Sequence, residues 1–170
     1  MTKQQQVHLG VIGLGNIAQQ HINNITSDVV NGCVITALSS RNKTALADEL
    51  SAAHFPDYRD LIDSGLVDAV LIATPTLAHF DMASYALSKN IHVMLEKPIG
   101  LSALEGEKLV ALANKNTKFA LMLNQRTDPT FSKMKSIFSN TSNYYFTFIA
   151  LVFINLKGNS ACFLLNFGIV

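Results

Sequence analysis

The feature that most constrains this chain is a six-residue segment, Gly13-Leu14-Gly15-Asn16-Ile17-Ala18, set between two hydrophobic patterns of different period. Before it, Val7 to Ile12 is a short apolar run with the length and composition of a buried strand. After it, Asn16 to Ile25 places Ala18, Ile22 and Ile25 on one helical face. In a strand-to-helix junction of the form G-x-G-x-x-G/A, the first glycine permits the tight turn and the second lets the backbone approach a diphosphate. The small third residue, here Ala18, lets the helix pack closely on the strand. The helix then aims unpaired N–H groups and the positive end of its dipole at the phosphates. Gly13, Leu14, Gly15, Asn16 and Ile17 are therefore the expected dinucleotide-binding residues. The pattern alone is weak, and its strand–helix setting is what gives it weight; the alternative is a glycine-rich turn without a ligand.

The same alternation continues along the chain. Strands are expected at Cys33–Leu38, Ala52–Phe55, Asp68–Ala73, Ile91–Leu95 and Phe119–Leu123. Helices are expected at Lys43–Leu50, Tyr58–Ser64, Leu77–Ser88, from Ser102 to about Asn116, and at Pro129–Phe138. Asn90 stands where a left-handed C-cap is wanted, and Ser102 with Glu105 forms a capping box. The Asp68–Ala73 run is almost wholly apolar, as befits a central parallel strand. Strands and helices in alternation, joined by short loops, imply an α/β fold, a doubly wound parallel sheet of the Rossmann type.

The end of the second strand bears on the choice of dinucleotide. An acidic residue there accepts hydrogen bonds from the ribose 2′-hydroxyl of NAD. This chain has Ser39-Ser40-Arg41 instead, and Asp28 lies before the strand. A hydroxyl and a guanidinium can hold a 2′-phosphate that a carboxylate would repel. Ser40 and Arg41 thus favour NADP, with NAD possible and with Arg41 as a mere helix-start residue the plainer alternative. The same acidic residue is expected of a methyltransferase, so its absence argues against that class.

Formal net charge is +1 and the basic residues are scattered, so nothing points to nucleic acid or to an anionic membrane surface. Cys33 and Cys162 form neither a disulfide framework nor a metal spacing, and His8, His21, His54 and His92 have no partner spacing for a metal. Met1 to Gln6 is polar and lacks a signal-peptide apolar region; a cytoplasmic location is expected. The chain changes character near Ser139. Two apolar stretches follow, Tyr144–Leu156 and Ala161–Val170, split by Lys157-Gly158-Asn159-Ser160, and no Asp, Glu, His or Arg occurs after Asp128. Each is shorter than the roughly 20 residues of a membrane-spanning helix, and their Phe, Tyr, Ile and Val content suits strands; no membrane partner is expected, with a membrane hairpin the lesser alternative.

Three further segments are similar to one family, in order. Ala73-Thr74-Pro75-Thr76 with His79 ends the fourth strand, Glu96-Lys97-Pro98 ends the fifth, and Asn124-Gln125-Arg126 with Asp128-Pro129 ends the sixth. With the glycine turn, this set resembles the N-terminal domain of the Gfo/Idh/MocA oxidoreductases, over about Val7 to Phe138. The resemblance implies hydride transfer between NADP or NAD and a small sugar, polyol or related carbonyl substrate. It implies that Thr74, Pro75, His79 and Asn124 line the cofactor cleft, and that Lys97 stands beside the nicotinamide as the catalytic residue, its ammonium meeting the substrate oxygen. Glu96 would orient that lysine or the nicotinamide ribose. From spacing alone Lys97 reads as an exposed lysine in a proline-terminated loop, and His79 as a partial cap or surface residue. The family's second domain, which supplies the substrate pocket, has no counterpart here. The expected organisation is a nucleotide-binding domain over residues 1–138 and an atypical tail over 139–170, the mark of a truncated or frame-shifted product. A non-catalytic nucleotide-sensing module and an inert fragment are the other readings.

Overall fold

The computed structural model describes residues 6–27 and 29–123, Pro129 and Lys133, and the backbone of two strands at 150–156 and 159–165. Six strands form one parallel sheet: β1 (Val7–Ile12), β2 (Cys33–Ser39), β3 (Ala53–Phe55), β4 (Ala69–Ile72), β5 (His92–Leu95) and β6 (Phe119–Leu121). Their spatial order is β3-β2-β1-β4-β5-β6. The order reverses between β1 and β4, and this switch point is where open α/β sheets leave a crevice beyond the carboxyl ends of their strands.

Both faces of the sheet are covered, which is why its strands read as nearly continuous apolar runs. Helices α1 (Asn16–Thr26) and α2 (Ala45–Glu49) lie on one face, where Ala18, Ile22 and Ala47 pack with Leu9, Val11, Ile35, Leu38 and Leu71. Helices α3 (Tyr58–Asp63), α4 (His79–Ser88) and α5 (Ala103–Leu112) cover the other. There Leu61, Ala83, Ala86, Leu87 and Leu109 meet Ile12, Val70, Ile72, Val93 and Leu95. Leu71 faces one layer and its neighbours Val70 and Ile72 the other, the period-two alternation of a strand. Each fully buried Leu or Ile of this kind stabilises the fold by about 1.5–3 kcal/mol.

Several observed elements begin or end away from the expected residues: α2 is shorter at both ends, β6 stops at Leu121, and α4 and α5 differ as follows. The helix expected to begin at Leu77 is preceded by a 3-10 turn, Thr76–Ala78, and the α-helix begins at His79. The helix after Ser102 ends at Leu112 rather than near Asn116. There the Asn114 N–H donates to Thr117 Oγ1 at 2.9 Å and the Asn116 N–H to Asn114 Oδ1 at 2.7 Å, side-chain bonds that compete with the helical ladder. Its start follows the capping box in part. Ser102 Oγ accepts from the Glu105 N–H at 3.3 Å, while Glu105 reaches past Ser102 to the Leu101 N–H at 2.7 Å. Asn90 does adopt the left-handed conformation, with φ 61°.

In the tail, β7 (Ala150–Leu156) and β8 (Asn159–Leu165) pair antiparallel, Leu156 opposite Asn159, so strands rather than helices form there. The helix expected at Pro129–Phe138 lies, apart from Pro129 and Lys133, outside the described residues, as do Asn124 and the Asn124-Gln125-Arg126 motif. No helix among the described residues is long and apolar enough to cross a membrane.

Candidate functional site

The sheet's hydrogen bonding runs one residue past the strands and so aligns the motifs along one edge. Gly13 N–H donates to Ser39 O at 3.0 Å, Ala73 N–H to Ile12 O at 2.9 Å, and Glu96 N–H to Ile72 O at 2.9 Å. The glycine bend, the Ala73-Thr74-Pro75 loop and the Glu96-Lys97-Pro98 turn are thereby set side by side at the switch point.

Gly13 is held at φ +87°, a left-handed conformation that a side chain resists. A Cβ there would also stand 2.7 Å from the Ala73 carbonyl oxygen and 2.8 Å from Thr74 Cγ2. Gly15 differs. It caps α1 with ordinary extended backbone, φ −73°, and a Cβ there would meet nothing within 4 Å. Its missing side chain leaves open space in front of the helix. Gly15 offers no side-chain cap, no acidic residue lies in the first turn, and Gly15, Asn16 and Ile17 are exposed. An 11-residue helix presenting an uncapped, exposed first turn to open space fits a diphosphate. Leu14 contributes backbone there, since its side chain packs toward the α1–α2 core.

On the β2 side, Ser40 is half-buried and Arg41 exposed. Ser40 Oγ donates to Asn42 O at 2.7 Å, and His54 Nε2 lies 3.1 Å from that hydroxyl and 3.0 Å from Ser40 O. Both Ser40 oxygens are acceptors, so the His54 ring donates from Nε2. The single Ser40 hydroxyl proton is therefore occupied within the loop. Ser40 Oγ thus has a hydrogen-bond partner within the loop, while the Arg41 side chain is exposed beside it.

On the β4–β5 side, His79 is buried, 1% exposed. Its Nε2 lies 2.8 Å from Thr74 O and its Nδ1 2.7 Å from Pro98 O. Carbonyl oxygens only accept, so the ring donates to them, and its tautomer decides which N–H is offered. The ring thus ties the loop after β4 to the turn after β5 from beneath the cleft. Thr74 Oγ1 donates to Met82 Sδ at 3.5 Å, and Pro75 is exposed. Glu96 is buried; its Oε1 lies 2.7 Å from His21 Nε2, and its Oε2 accepts the Lys97 N–H at 3.1 Å. Lys97 itself is exposed, and its peptide bond to Pro98 is cis.

The structure therefore brings together Gly13, Gly15, Thr74, Pro75, Glu96 and Lys97 along one edge, with His79 beneath. It adds His21, which spacing did not single out because its partner lies 75 residues away. The available signal was position: His21 stands three residues after Ala18, at the margin of the buried stripe of α1.

An open parallel sheet wound on both faces, with a glycine bend opening a helix at its switch point, defines a dinucleotide-binding domain of the Rossmann class. The profile of the Gfo/Idh/MocA oxidoreductase family, described as an NAD-binding Rossmann fold, matches residues 7–125, and the chain belongs to this family. It is 33% identical over 145 residues to the uncharacterised oxidoreductase YrbE of Bacillus subtilis (strain 168), covering 82% of this chain and 41% of that protein. It is 29% identical over 135 residues to an inositol 2-dehydrogenase of Salmonella paratyphi B (strain ATCC BAA-1250 / SPB7), covering 75% and 40% respectively. Among solved structures, the scyllo-inositol dehydrogenase of Lactobacillus casei with bound NAD(H) and scyllo-inositol superposes with a TM-score of 0.70 at 27% identity, over 79% of this chain and 41% of that one. The chain spans about two-fifths of the length of these relatives.

Proposed function

We propose that this chain is the nucleotide-binding part of an oxidoreductase that moves a hydride between a nicotinamide dinucleotide and a sugar- or polyol-type substrate. The observation that carries the reading is the juxtaposition at one sheet edge of the uncapped, open α1 terminus and the exposed Lys97. The first supplies donors for a diphosphate. The second supplies a cation beside the next loops, where an ammonium can hydrogen-bond a substrate oxygen and stabilise alkoxide character as hydride leaves or arrives. The dinucleotide, when bound, supplies the hydride chemistry itself. Gly13, Leu14, Gly15, Asn16 and Ile17 hold the phosphates through their backbone, and Thr74 and Pro75 bound the cleft. Relatives named as inositol dehydrogenases support the polyol class of substrate.

NADP is the preferred dinucleotide in this reading, and Arg41 is the residue that decides it. Its guanidinium is exposed at the end of β2, where no carboxylate stands to receive a ribose 2′-hydroxyl. Titrating the chain with NADPH and with NADH, each followed by nicotinamide fluorescence, tests both statements. Binding of neither contradicts the nucleotide assignment, and tighter NADH than NADPH contradicts the preference. Arg41→Asp is expected to weaken NADPH by about tenfold or more, the loss of a charge-assisted contact, and NADH far less. A polyol-dependent absorbance change at 340 nm with the oxidised cofactor distinguishes a redox enzyme from a nucleotide sensor.

A further inference from the structure

Glu96 joins two parts of the chain that the proposed chemistry needs to keep in step. One of its carboxylate oxygens faces His21 Nε2 at 2.7 Å and the other accepts the Lys97 backbone N–H at 3.1 Å. The pair is sheltered, with the His21 side chain 17% exposed and that of Glu96 10%. A buried carboxylate with only one partner is poorly satisfied and free to turn about its terminal torsion. Two donors on opposite oxygens fix its plane. His21 is carried by α1, whose first turn faces the proposed diphosphate seat, and Lys97 follows the end of β5.

We infer that His21 is a positioning residue for Lys97: acting through Glu96, it sets the backbone from which the lysine projects and ties it to the helix that grips the dinucleotide. This rests on the reading of Lys97 as the group that meets the substrate oxygen. On the other side of the turn, His79 Nδ1 lies 2.7 Å from Pro98 O, so the backbone next to the lysine also rests against α4. The Glu96–Lys97 bond is local and would form in many conformations. The His21 contact is what makes it specific to the assembled sheet.

The Lys97 amide reports the device directly, because its proton sits in the Glu96 bond. The probe is the chain labelled with 15N-lysine, with the Lys97 resonance assigned by its loss in Lys97→Arg. In His21→Leu the Lys97 amide is expected to shift and to exchange with solvent about tenfold faster, as for loss of one charge-assisted hydrogen bond. The β4 core amides of Val70 and Leu71, followed in a uniformly 15N-labelled sample, are expected to keep their protection. His21→Gln, whose amide N–H reaches as far as the imidazole Nε2, is expected to restore the Lys97 signal. His21→Asn, one methylene shorter, is not, and it serves if the leucine variant does not fold. An unmoved Lys97 amide in both Leu and Asn variants overturns the inference. So does equal acceleration of Lys97 and the β4 core, which would make His21 a packing residue only. ADP-ribose binding, measured by calorimetry, separates this from the nucleotide reading. Its failure in the unmodified chain sinks that reading alone, whereas its retention in a His21→Leu chain with a displaced Lys97 amide supports the inference.

Discussion

The two edges of the sheet carry the same kind of side-chain pair and use it differently. At the amino edge, His8 Nδ1 lies 2.9 Å from Asp68 Oδ2, with the two side chains 50% and 51% exposed. At the carboxyl edge, His21 and Glu96 meet at 2.7 Å with 17% and 10% exposed. Solvent screens the first pair and supplies alternative partners to both groups, so its contribution is small. The second pair has lost most of its water, and its members depend on one another. The backbone follows the same division. At the amino edge it closes on itself: Val7 N–H donates to Gly32 O, Asp68 N–H to His8 O, and His92 N–H to Asp68 O. At the carboxyl edge, the first turn of α1 is left uncapped. The same kind of pair is thus shared with solvent at the amino edge and sheltered from it at the carboxyl edge.

Substitutions that test this contrast should fall in a definite order. The largest effect is expected for His79→Leu, which replaces the buried ring that faces the Thr74 and Pro98 carbonyls. A loss of about 4 kcal/mol is expected, from a buried carbonyl left without its donor and an apolar side chain set against two carbonyl oxygens, read from the urea midpoint at constant slope. Gly13→Ala comes next, at about 3 kcal/mol, combining a positive φ with a Cβ thrust against the Ala73 carbonyl. Gly15→Ala sharpens the contrast within the bend. Its stability change is expected to stay within about 1 kcal/mol, while NADPH affinity drops by about tenfold through obstruction of the phosphate seat. A Gly15→Ala chain that binds NADPH as well as the parent would mean that the open space has another use.

The smallest effect belongs to the amino edge. The His8 backbone N–H donates to Asp68 and, opposed by desolvation, holds its carboxyl below the ordinary carboxylate range. A depressed folded value means that Asp68 stabilises the fold above the unfolded carboxylate range, near pH 4. That contribution is lost as pH falls through the lower folded value. Asp68→Asn should therefore cost less than about 1 kcal/mol at neutral pH, and the urea midpoints of parent and variant should converge in acid. A difference that persists undiminished at pH 2 would show that the carboxylate charge is irrelevant.

The sheet and the position of the site were legible in the sequence because both depend on local patterns. The apolar runs of β1, β4 and β5 and the stripe Ala18, Ile22, Ile25 carry their period within a few residues, and the Gly13–Ala18 bend lies between two of them. What failed to show was set by distant partners. From spacing alone His79 reads as a surface or capping residue, and the resemblance sets it in the cofactor cleft; its burial against the turn after β5, 19 residues on, shows only in the fold. His21 had no visible role because Glu96 is 75 residues away. The Ser40 hydroxyl's contact with Asn42 O likewise depends on the folded loop. The early end of α5 was in principle readable, since Asn114 and Thr117 are residues that bond to nearby backbone.

The distance from His21 to Glu96 also bears on how the molecule comes into being. Gly13 gains its support from Ser39 and from the Ala73 loop, and His21 finds its carboxylate only after β5 has joined the sheet. A contact of this sequence separation rewards the chain only after a long loop has closed, which is the kind of contact that slows folding. Glu96 must therefore have been synthesised, and β5 laid into the sheet, before the first helix can find this partner.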